Sequence, residues 1–380
     1  MALFALPFVI LASPFELAMW RAGESWPAAR ALDAQREAAA RGEELLWGRR
    51  FFSQQFNVYK LEGIARARAD VLVVGSSRVM QLRAEHFEPV SFYNAGGLLQ
   101  GHADLMSLLG KLADGTVTRP EVLVIGVDPW WFTRGAPGPS SWLEPASLTD
   151  AAFDPSAHVA ALLAVPGDSG PLLEALRGPS DEARGIGLHA RGGSGFRVDG
   201  SRRYGGWLQQ FACDPVYRDR EDPPVVERVA RSSRQFAVDG GFDAVRWRAA
   251  TEAMRALEGT HVVLFVPPLS TEVRAAIEAS PEHLRWWSAY LDAARGTRGV
   301  QVVVAETPAT YGLDDRYMLD GFHPSEVLLG RVVEAMREGA PDGSLLGRVD
   351  AGWSRAEGVA AAWSPLGYRR PHDLRPCGAE

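Results

Sequence analysis

Three side chains that could form a serine nucleophile and its base lie far apart in this sequence. Ser77 follows the apolar run Val71–Val74 within a Gly-Ser-Ser-Arg stretch, and Asp320 and His323 stand three residues apart near the other end of the chain. A serine hydroxyl is a poor nucleophile at neutral pH, so it needs a base within hydrogen-bond reach and a third group that orients the base. Such triads are recognised by geometry and not by chain order, so Ser77, His323 and Asp320 could fill these roles.

The same residues also have simpler interpretations. Ser77 is a small residue at a strand-to-helix turn, where it could cap the helix. Arg78 could bind an acidic group or pair with a carboxylate, and Asp128 could serve to shape the exit from its strand. Trp130 and Trp131 are more often packing residues than a sugar platform. These alternatives stay open at the level of sequence.

The elements that must position these side chains alternate between strand and helix. Apolar runs predict five strands, which begin near Val71, Ser91, Glu121, His261 and Val300. Periodic patterns predict helices at about 103–112, 245–257, 281–294 and 324–337, the last with Pro324 in its first turn. This alternation predicts an α/β fold in which helices cover both faces of a parallel sheet. Ligands bind at the carboxyl ends of such strands, which here carry residues 75–78, 94–97 and 126–128.

Three of these stretches resemble the SGNH (GDSL-like) hydrolase superfamily, and within it bacterial membrane-anchored members with a Gly-Ser-Ser-Arg first block. They are DVLVVGSSRV at 70–79, FYNAGG at 92–97 and DGFHPS at 320–325. The similarity covers roughly residues 69–337 and is weakest in the middle. It implies a three-layer α/β/α, flavodoxin-like SGNH domain with a central parallel sheet. It also implies that Ser77 is the nucleophile, His323 the base and Asp320 the residue that orients the base.

The resemblance further implies an oxyanion hole built from the N–H of the nucleophile, a glycine of the second block (92–97) and an asparagine of a third block, which corresponds here to residues 126–128. The candidate oxyanion and substrate contacts are Gly96, Gly97, Gly101, Asn94, Asp128 and Arg78, and the choice among the three glycines stays open. The third block departs from the family, because Gly-Val-Asp places Asp128 where an asparagine is common. An ionised carboxylate cannot donate a hydrogen bond, and the loss of one oxyanion donor costs about 100- to 1000-fold in rate.

The N-terminal 20 residues are apolar apart from Ser13 and Glu16. Three interpretations remain, namely a membrane anchor, a cleaved signal peptide and a buried helix of a soluble protein. We expect a membrane anchor at 1–22, a helical stalk at 23–68 and an SGNH-like domain at 69–339. A long insertion is expected at about 133–241, where no clear strand is predicted, and a flexible tail at 340–380.

The composition of the chain indicates how large its core can be and which ligands it is expected to lack. The chain has 380 residues, of which 46% are hydrophobic, and this is enough apolar material for a sizeable core. The net charge of −7 disfavours a broad nucleic-acid-binding surface, so no nucleic-acid partner is expected. Cys213 and Cys377 lie outside any CxxC pair or set of metal ligands, so neither a metal nor another cofactor is expected. The sequence leaves open whether the two cysteines pair.

The function expected from the resemblance is acyl-ester chemistry by an O-acetyltransferase or esterase. Its substrate would be a glycan or acylated carbohydrate of the cell envelope or an exported polysaccharide, and a membrane acyltransferase is a candidate donor partner. The domain would then lie on the periplasmic side of the membrane. The rival expectation is a non-catalytic glycan-binding or assembly protein on the same scaffold, which the missing asparagine favours.

Overall fold

The structure of the chain is a computed structural model that describes residues 14–51, 56–135, 143, 150–164, 185–204 and 225–350. The described residues group into two compact units. Unit 1 contains those up to Gly63 together with those in 144–198 and 202–204, and unit 2 contains the others.

The described residues form nine strands. They are β1 (Leu46–Trp47), β2 (Val71–Gly75), β3 (Phe92–Gly96), β4 (Val122–Gly126), β5 (Gly185–Ile186), β6 (Ser194–Phe196), β7 (Arg202–Tyr204), β8 (His261–Val266) and β9 (Gln301–Val304). The helices are Ala28–Ala40, Asn57–Ala67, His102–Ala113, Pro155–Ala164, Leu188–Arg191, Ala244–Arg255, Thr271–Ala279, Pro281–Gly296 and Glu326–Glu338, and residues 14–22 and 225–230 are also helical.

Unit 2 is built on a five-stranded sheet in the order β3-β2-β4-β8-β9, in which every neighbouring pair is parallel. Numbered along the chain within this sheet, the order is 2-1-3-4-5, which is that of flavodoxin-like folds. Helices flank the sheet, so the predicted α/β class with three α/β/α layers is confirmed. The five strands of this sheet are the five that the apolar runs predicted.

Both faces of this sheet are buried. Val71 and Val73 of β2 belong to the core cluster that includes Leu329 and Val333 of the helix Glu326–Glu338. Successive strand residues point to opposite faces, and Leu72 is buried as well. The strands therefore lack a polar face, as expected for a parallel sheet covered by helices on both sides.

The helix that follows the Asp-x-x-His block begins later than predicted. Ser325 is its N-cap, with a side chain that accepts a hydrogen bond from the Leu328 N–H, and the helix begins at Glu326. Pro324 instead lies before the cap, in an isolated antiparallel bridge with Met318. The prediction that Pro324 occupies the first helical turn was therefore wrong, because a serine that can cap follows it directly.

Unit 1 contains a second sheet that the sequence did not predict, with the order β5-β1-β6-β7. Its strands have only two or three residues, too few for a recognisable alternation of apolar and polar residues. Three of them fall in the predicted insertion, and β1 falls in the predicted stalk. The helix Ala28–Ala40 of that stalk buries Leu32 and Gln35, and the Gln35 amide donates to the Leu45 and Phe196 carbonyls. These residues are therefore packed within unit 1.

The two ends of the chain are described in part. Of the predicted anchor, residues 1–13 lie outside the described residues, and no helix among the described ones has the length and apolarity to cross a membrane. Of the predicted flexible tail, residues up to Asp350 are described, and Leu346 and Val349 are buried in the core of unit 2. Residues 351–380, with Cys377, lie outside the described part, as does Cys213.

Candidate active site

The candidate nucleophile lies directly after the buried strand β2, at the start of a short 3₁₀ helix, Ser77–Val79. Ser76 caps this helix, and its hydroxyl accepts a hydrogen bond from the Arg78 N–H at 3.3 Å. Gly75 makes the close turn possible, because a Cβ at this position would lie 2.9 Å from the Gly126 carbonyl oxygen. The chain thus leaves the sheet sharply and presents Ser77, which is partly exposed, at the carboxyl edge.

The candidate base lies in a loop that Asp320 organises. One carboxylate oxygen of Asp320 accepts hydrogen bonds from the backbone N–H groups of Phe322 and His323, each at 2.7 Å. The Leu319 N–H donates to the His323 carbonyl at 2.7 Å and closes the loop. Aspartate commonly stabilises turns through such bonds to N–H groups that follow it.

The structure brings Ser77, His323 and Asp320 together. The Ser77 Oγ lies 2.8 Å from the His323 Nε2, and the His323 Nδ1 lies 2.9 Å and 2.8 Å from the two carboxylate oxygens of Asp320. A carboxylate can only accept, so the hydrogen-bond network assigns the ring proton to Nδ1. The Nε2 is then an acceptor for the serine O–H. This is the arrangement that a nucleophile, its base and an orienting carboxylate require.

The environment of Asp320 favours its ionised form. Burial acts to raise the pKa of this carboxyl, but the charge and hydrogen bond of His323 outweigh it, together with the N–H groups of Phe322 and His323. The pKa of Asp320 therefore lies below its ordinary value. A carboxylate that stays ionised can hold the Nδ1–H tautomer of His323 and stabilise an imidazolium.

Arg78 is buried and reaches four acceptors. Its Nε donates to the Phe322 carbonyl at 3.2 Å and its Nη1 to Asp128 at 2.7 Å, while its Nη2 donates to the carbonyls of Pro267 and Pro268 at 2.7 Å each. The side chains of Arg78 and Asp128 are 2% and 0% exposed. Of the two alternatives for Arg78, the structure supports pairing with a carboxylate, because none of these donors points to solvent.

Asp128 is the charged partner of Arg78. Burial raises the pKa of the Asp128 carboxyl, and the adjacent Arg78 charge opposes this effect. Asp128 lies two residues after the end of β4, and its Oδ1 accepts a hydrogen bond from the Arg78 guanidinium. Asp128 is therefore held as the counterion of Arg78, and it is not placed to donate to an oxyanion.

Asn94, Gly96 and Gly97 make internal hydrogen bonds. The Asn94 amide donates to the carbonyls of Val79 and Leu82, and its Oδ1 accepts from the Gly96 N–H at 2.6 Å. The Gly97 N–H donates to the Gly75 and Ser76 carbonyls at 2.8 Å and 3.0 Å. These groups fasten β3 to the nucleophile turn, so their N–H donors are already used.

Gly101 and the backbone of Ser77 are different. Within the part of the chain that the structure describes, neither the Ser77 N–H nor the Gly101 N–H donates a hydrogen bond. Gly101 is the N-cap of the helix His102–Ala113, and the loop from Gly97 that leads to it begins beside Ser76. Among the three glycines left open by the sequence, Gly101 is thus the one with a donor to offer.

Aromatic side chains lie beside the triad, and Phe236 and Phe322 among them were not predicted from the sequence. Phe322 stacks on Phe236 at 5.6 Å between ring centroids, and Trp130 meets the edge of Phe322 at 5.8 Å. Trp130 is partly exposed, whereas Trp131 is buried. Packing therefore accounts for Trp131, and a platform role is compatible only with Trp130. Pro267 and Pro268, whose carbonyls accept hydrogen bonds from Arg78, directly follow β8, and this strand end is the sequence signal that could have indicated them.

The comparisons with known proteins add no relative. No protein-family model matches the chain, and neither a curated protein nor a solved structure does. In the described ranges, no group of three or more His, Cys, Asp or Glu side chains could hold a metal ion.

Proposed function

We propose that this chain is a serine-dependent enzyme of acyl-ester chemistry, an O-acetyltransferase or esterase. The observation that carries the proposal is the continuous hydrogen-bonded line from the Ser77 Oγ through the His323 ring to the Asp320 carboxylate. A serine used only as a cap or spacer has no need of a base at 2.8 Å that is itself oriented by a buried carboxylate.

These hydrogen bonds between Ser77, His323 and Asp320 support an acyl-transfer reaction in two steps. The Ser77 oxygen attacks the acyl carbonyl carbon while its proton passes to the His323 Nε2. The tetrahedral intermediate collapses, the ester C–O bond breaks, and the leaving alkoxide takes the proton from the imidazolium. Water or a sugar hydroxyl then attacks the acyl-enzyme and gives its proton to His323. The bond between the acyl carbon and the Ser77 oxygen then breaks, and Ser77 takes from His323 the proton that came from the water or sugar hydroxyl. The product is a free acid or a new ester.

The oxyanion of the intermediate needs N–H donors that are not engaged elsewhere. The Ser77 N–H and the Gly101 N–H meet this condition among the described residues. Asp128, as the counterion of Arg78, does not supply a third donor. We therefore expect a two-donor hole and, because one donor is worth about 100- to 1000-fold, slow turnover.

The substrate class comes from the resemblance to SGNH members that act on envelope glycans. The acyl acceptor or substrate would be a cell-envelope or exported polysaccharide, and a membrane acyltransferase would supply the acyl group in a transfer reaction. The partly exposed Trp130 beside Phe322 offers an aromatic surface of the kind on which sugar rings stack.

Covalent labelling by a fluorophosphonate probe tests the proposal without knowledge of the substrate. We expect the purified full-length protein to be labelled, with the mass of the phosphonate located on the peptide that contains Ser77. A heat-denatured sample is the control, since it keeps the serine but loses the base. A folded protein that remains unlabelled at concentrations that label known serine hydrolases would contradict the proposal.

The same experiment decides the second candidate function, a non-catalytic glycan-binding or assembly protein. The specific observation in its favour is Asp128, which stands where the family has an oxyanion donor. Binding of a polysaccharide by an unlabelled protein would favour this candidate.

We also propose that residues before about Arg21 hold the protein at a membrane, with the domain on the periplasmic side. The support is the apolar N-terminus, in which Ser13 and Glu16 are the only polar residues among the first 20. We expect full-length protein in the membrane fraction and a variant that starts at Ala28 in the soluble fraction. Equal release of both without detergent would exclude the anchor.

A further inference from the structure

We propose that Arg78 is a positioning residue for the proposed catalytic triad, and that Asp128 is the counterion that allows it to act. Arg78 holds the loop of His323 against the turn of Ser77. This inference rests on the proposed function and deepens it, because it assigns a role to the residue that directly follows the nucleophile.

The contacts of the guanidinium tie four segments of the chain to one group. Arg78 belongs to the nucleophile turn itself. It binds the segment after β4 through Asp128, the segment after β8 through Pro267 and Pro268, and the His323 loop through the Phe322 carbonyl. Arg78 directly follows Ser77 in the chain, and the Phe322 carbonyl that it binds belongs to the residue before His323. The guanidinium therefore connects the nucleophile to the base through one peptide unit on each side.

Only an arginine can make this set of bonds. The planar guanidinium carries five N–H donors in a fixed fork, whereas a lysine ammonium is a compact point charge with three donors. The acceptors of Arg78 lie around its Nε, Nη1 and Nη2, so one ammonium could not reach all of them. The side chain also lies with its Cζ 5.4 Å from the centroid of the Trp130 ring, which packs against Phe322.

Asp128 makes the buried cation tolerable. A buried charge without a partner is strongly unfavourable, and removing one member of a buried pair is strongly destabilising. The carboxylate of Asp128 also interacts electrostatically with His323. A neutral Arg78–Asp128 pair thus binds the Phe322 carbonyl without placing a net positive charge beside a ring that must itself become cationic.

The test separates the chemical step from binding in the labelling reaction. We expect Arg78→Lys to lower the maximal rate of fluorophosphonate labelling, kinact, by about 10- to 100-fold, as small misplacements of reacting groups do. The half-saturating probe concentration should stay within about twofold, because Arg78 lies beneath the site and does not reach the probe. Arg49→Lys is the matched control, since Arg49 is also buried and paired with an aspartate, Asp150 at 3.0 Å, within unit 1. It should leave kinact unchanged.

The double variant Arg78→Met, Asp128→Leu distinguishes a loss of positioning from a loss of folding, because it leaves no unpaired buried charge. Replacing both members of a buried pair by apolar residues is often neutral for stability. We expect this variant to melt cooperatively but below the wild-type temperature, because the Phe322, Pro267 and Pro268 carbonyls lose their donor. At a temperature where it is folded, it should still lose kinact by about 10- to 100-fold. Wild-type kinact in either folded Arg78 variant, or an equal loss in Arg49→Lys, would overturn the inference. An unlabelled wild-type protein would instead refute the proposed function, so the two failures are distinguishable.

Discussion

Ser77→Ala is expected to abolish turnover of a chromogenic acetyl ester and covalent labelling by a fluorophosphonate. The loss should be on the order of 10⁴- to 10⁶-fold, as in triads from which the nucleophile is removed. The physical reason is that the Ser77 Oγ is the atom within 2.8 Å of the His323 Nε2. The fold should persist, because the hydroxyl of this partly exposed residue contributes one hydrogen bond, worth about 1 kcal/mol.

Ser76→Ala is the matched control, since the neighbouring serine differs in its partner. The Ser76 hydroxyl caps the 3₁₀ helix by accepting from the Arg78 N–H and also interacts with the Asp128 carboxylate, but it makes no hydrogen bond with His323. We expect a loss of about 1 kcal/mol in stability, typical of a removed cap, with labelling retained. If Ser77→Ala kept wild-type turnover, or if Ser76→Ala alone abolished it, Ser77 would not be the nucleophile.

His323→Ala is expected to cost nearly as much as Ser77→Ala, and the double variant little more than either. Members of a catalytic unit are strongly non-additive, because the nucleophile and its base act in the same step. Steady-state rates of the two single variants and the double variant on one ester substrate measure this directly. If the fold losses of the two single variants multiplied in the double variant, His323 would not be the base for Ser77.

Two further variants sharpen this prediction. Asp320→Asn should lose less than His323→Ala, because the base remains present although its orientation and tautomer are no longer fixed. His261→Ala is a control at the opposite end of the sheet, where His261 opens β8 and its Nδ1 lies 2.6 Å from the Ser344 hydroxyl. It should leave the rate unchanged. A comparable loss in His261→Ala would point to general destabilisation.

The central sheet could be predicted because each of its strands corresponds to a short continuous stretch of sequence. Each strand of unit 2 is a short apolar run, such as Val71–Val74, and burial on both faces requires such runs in a covered parallel sheet. The carboxyl ends of parallel strands meet at one edge. The sequence therefore placed Ser77 and the second and third blocks at that edge, and the spacing of Asp320 and His323 indicated a turn that could face it.

The sheet of unit 1 was not predictable for the opposite reason. Its strands are too short for a periodic signal, and β1 pairs with β5 and β6, which lie more than 130 residues away. Tertiary contacts decide these pairings, and local propensity does not encode them. The start of the last helix is a different case, because the Ser325 side chain caps it through the Leu328 N–H, only three residues along the chain.

The sequence by itself determined the α/β class, the five parallel strands and the residue types of a serine triad. The tertiary structure alone decided which polar groups are engaged with one another. It paired Arg78 with Asp128, 50 residues away, and with the Phe322 carbonyl, 244 residues away. It also engaged the N–H groups of Gly96 and Gly97 in internal hydrogen bonds. Apolar periodicity records where a chain is buried, but a hydrogen bond depends on the direction and distance of two particular groups, which exist only once the chain has folded.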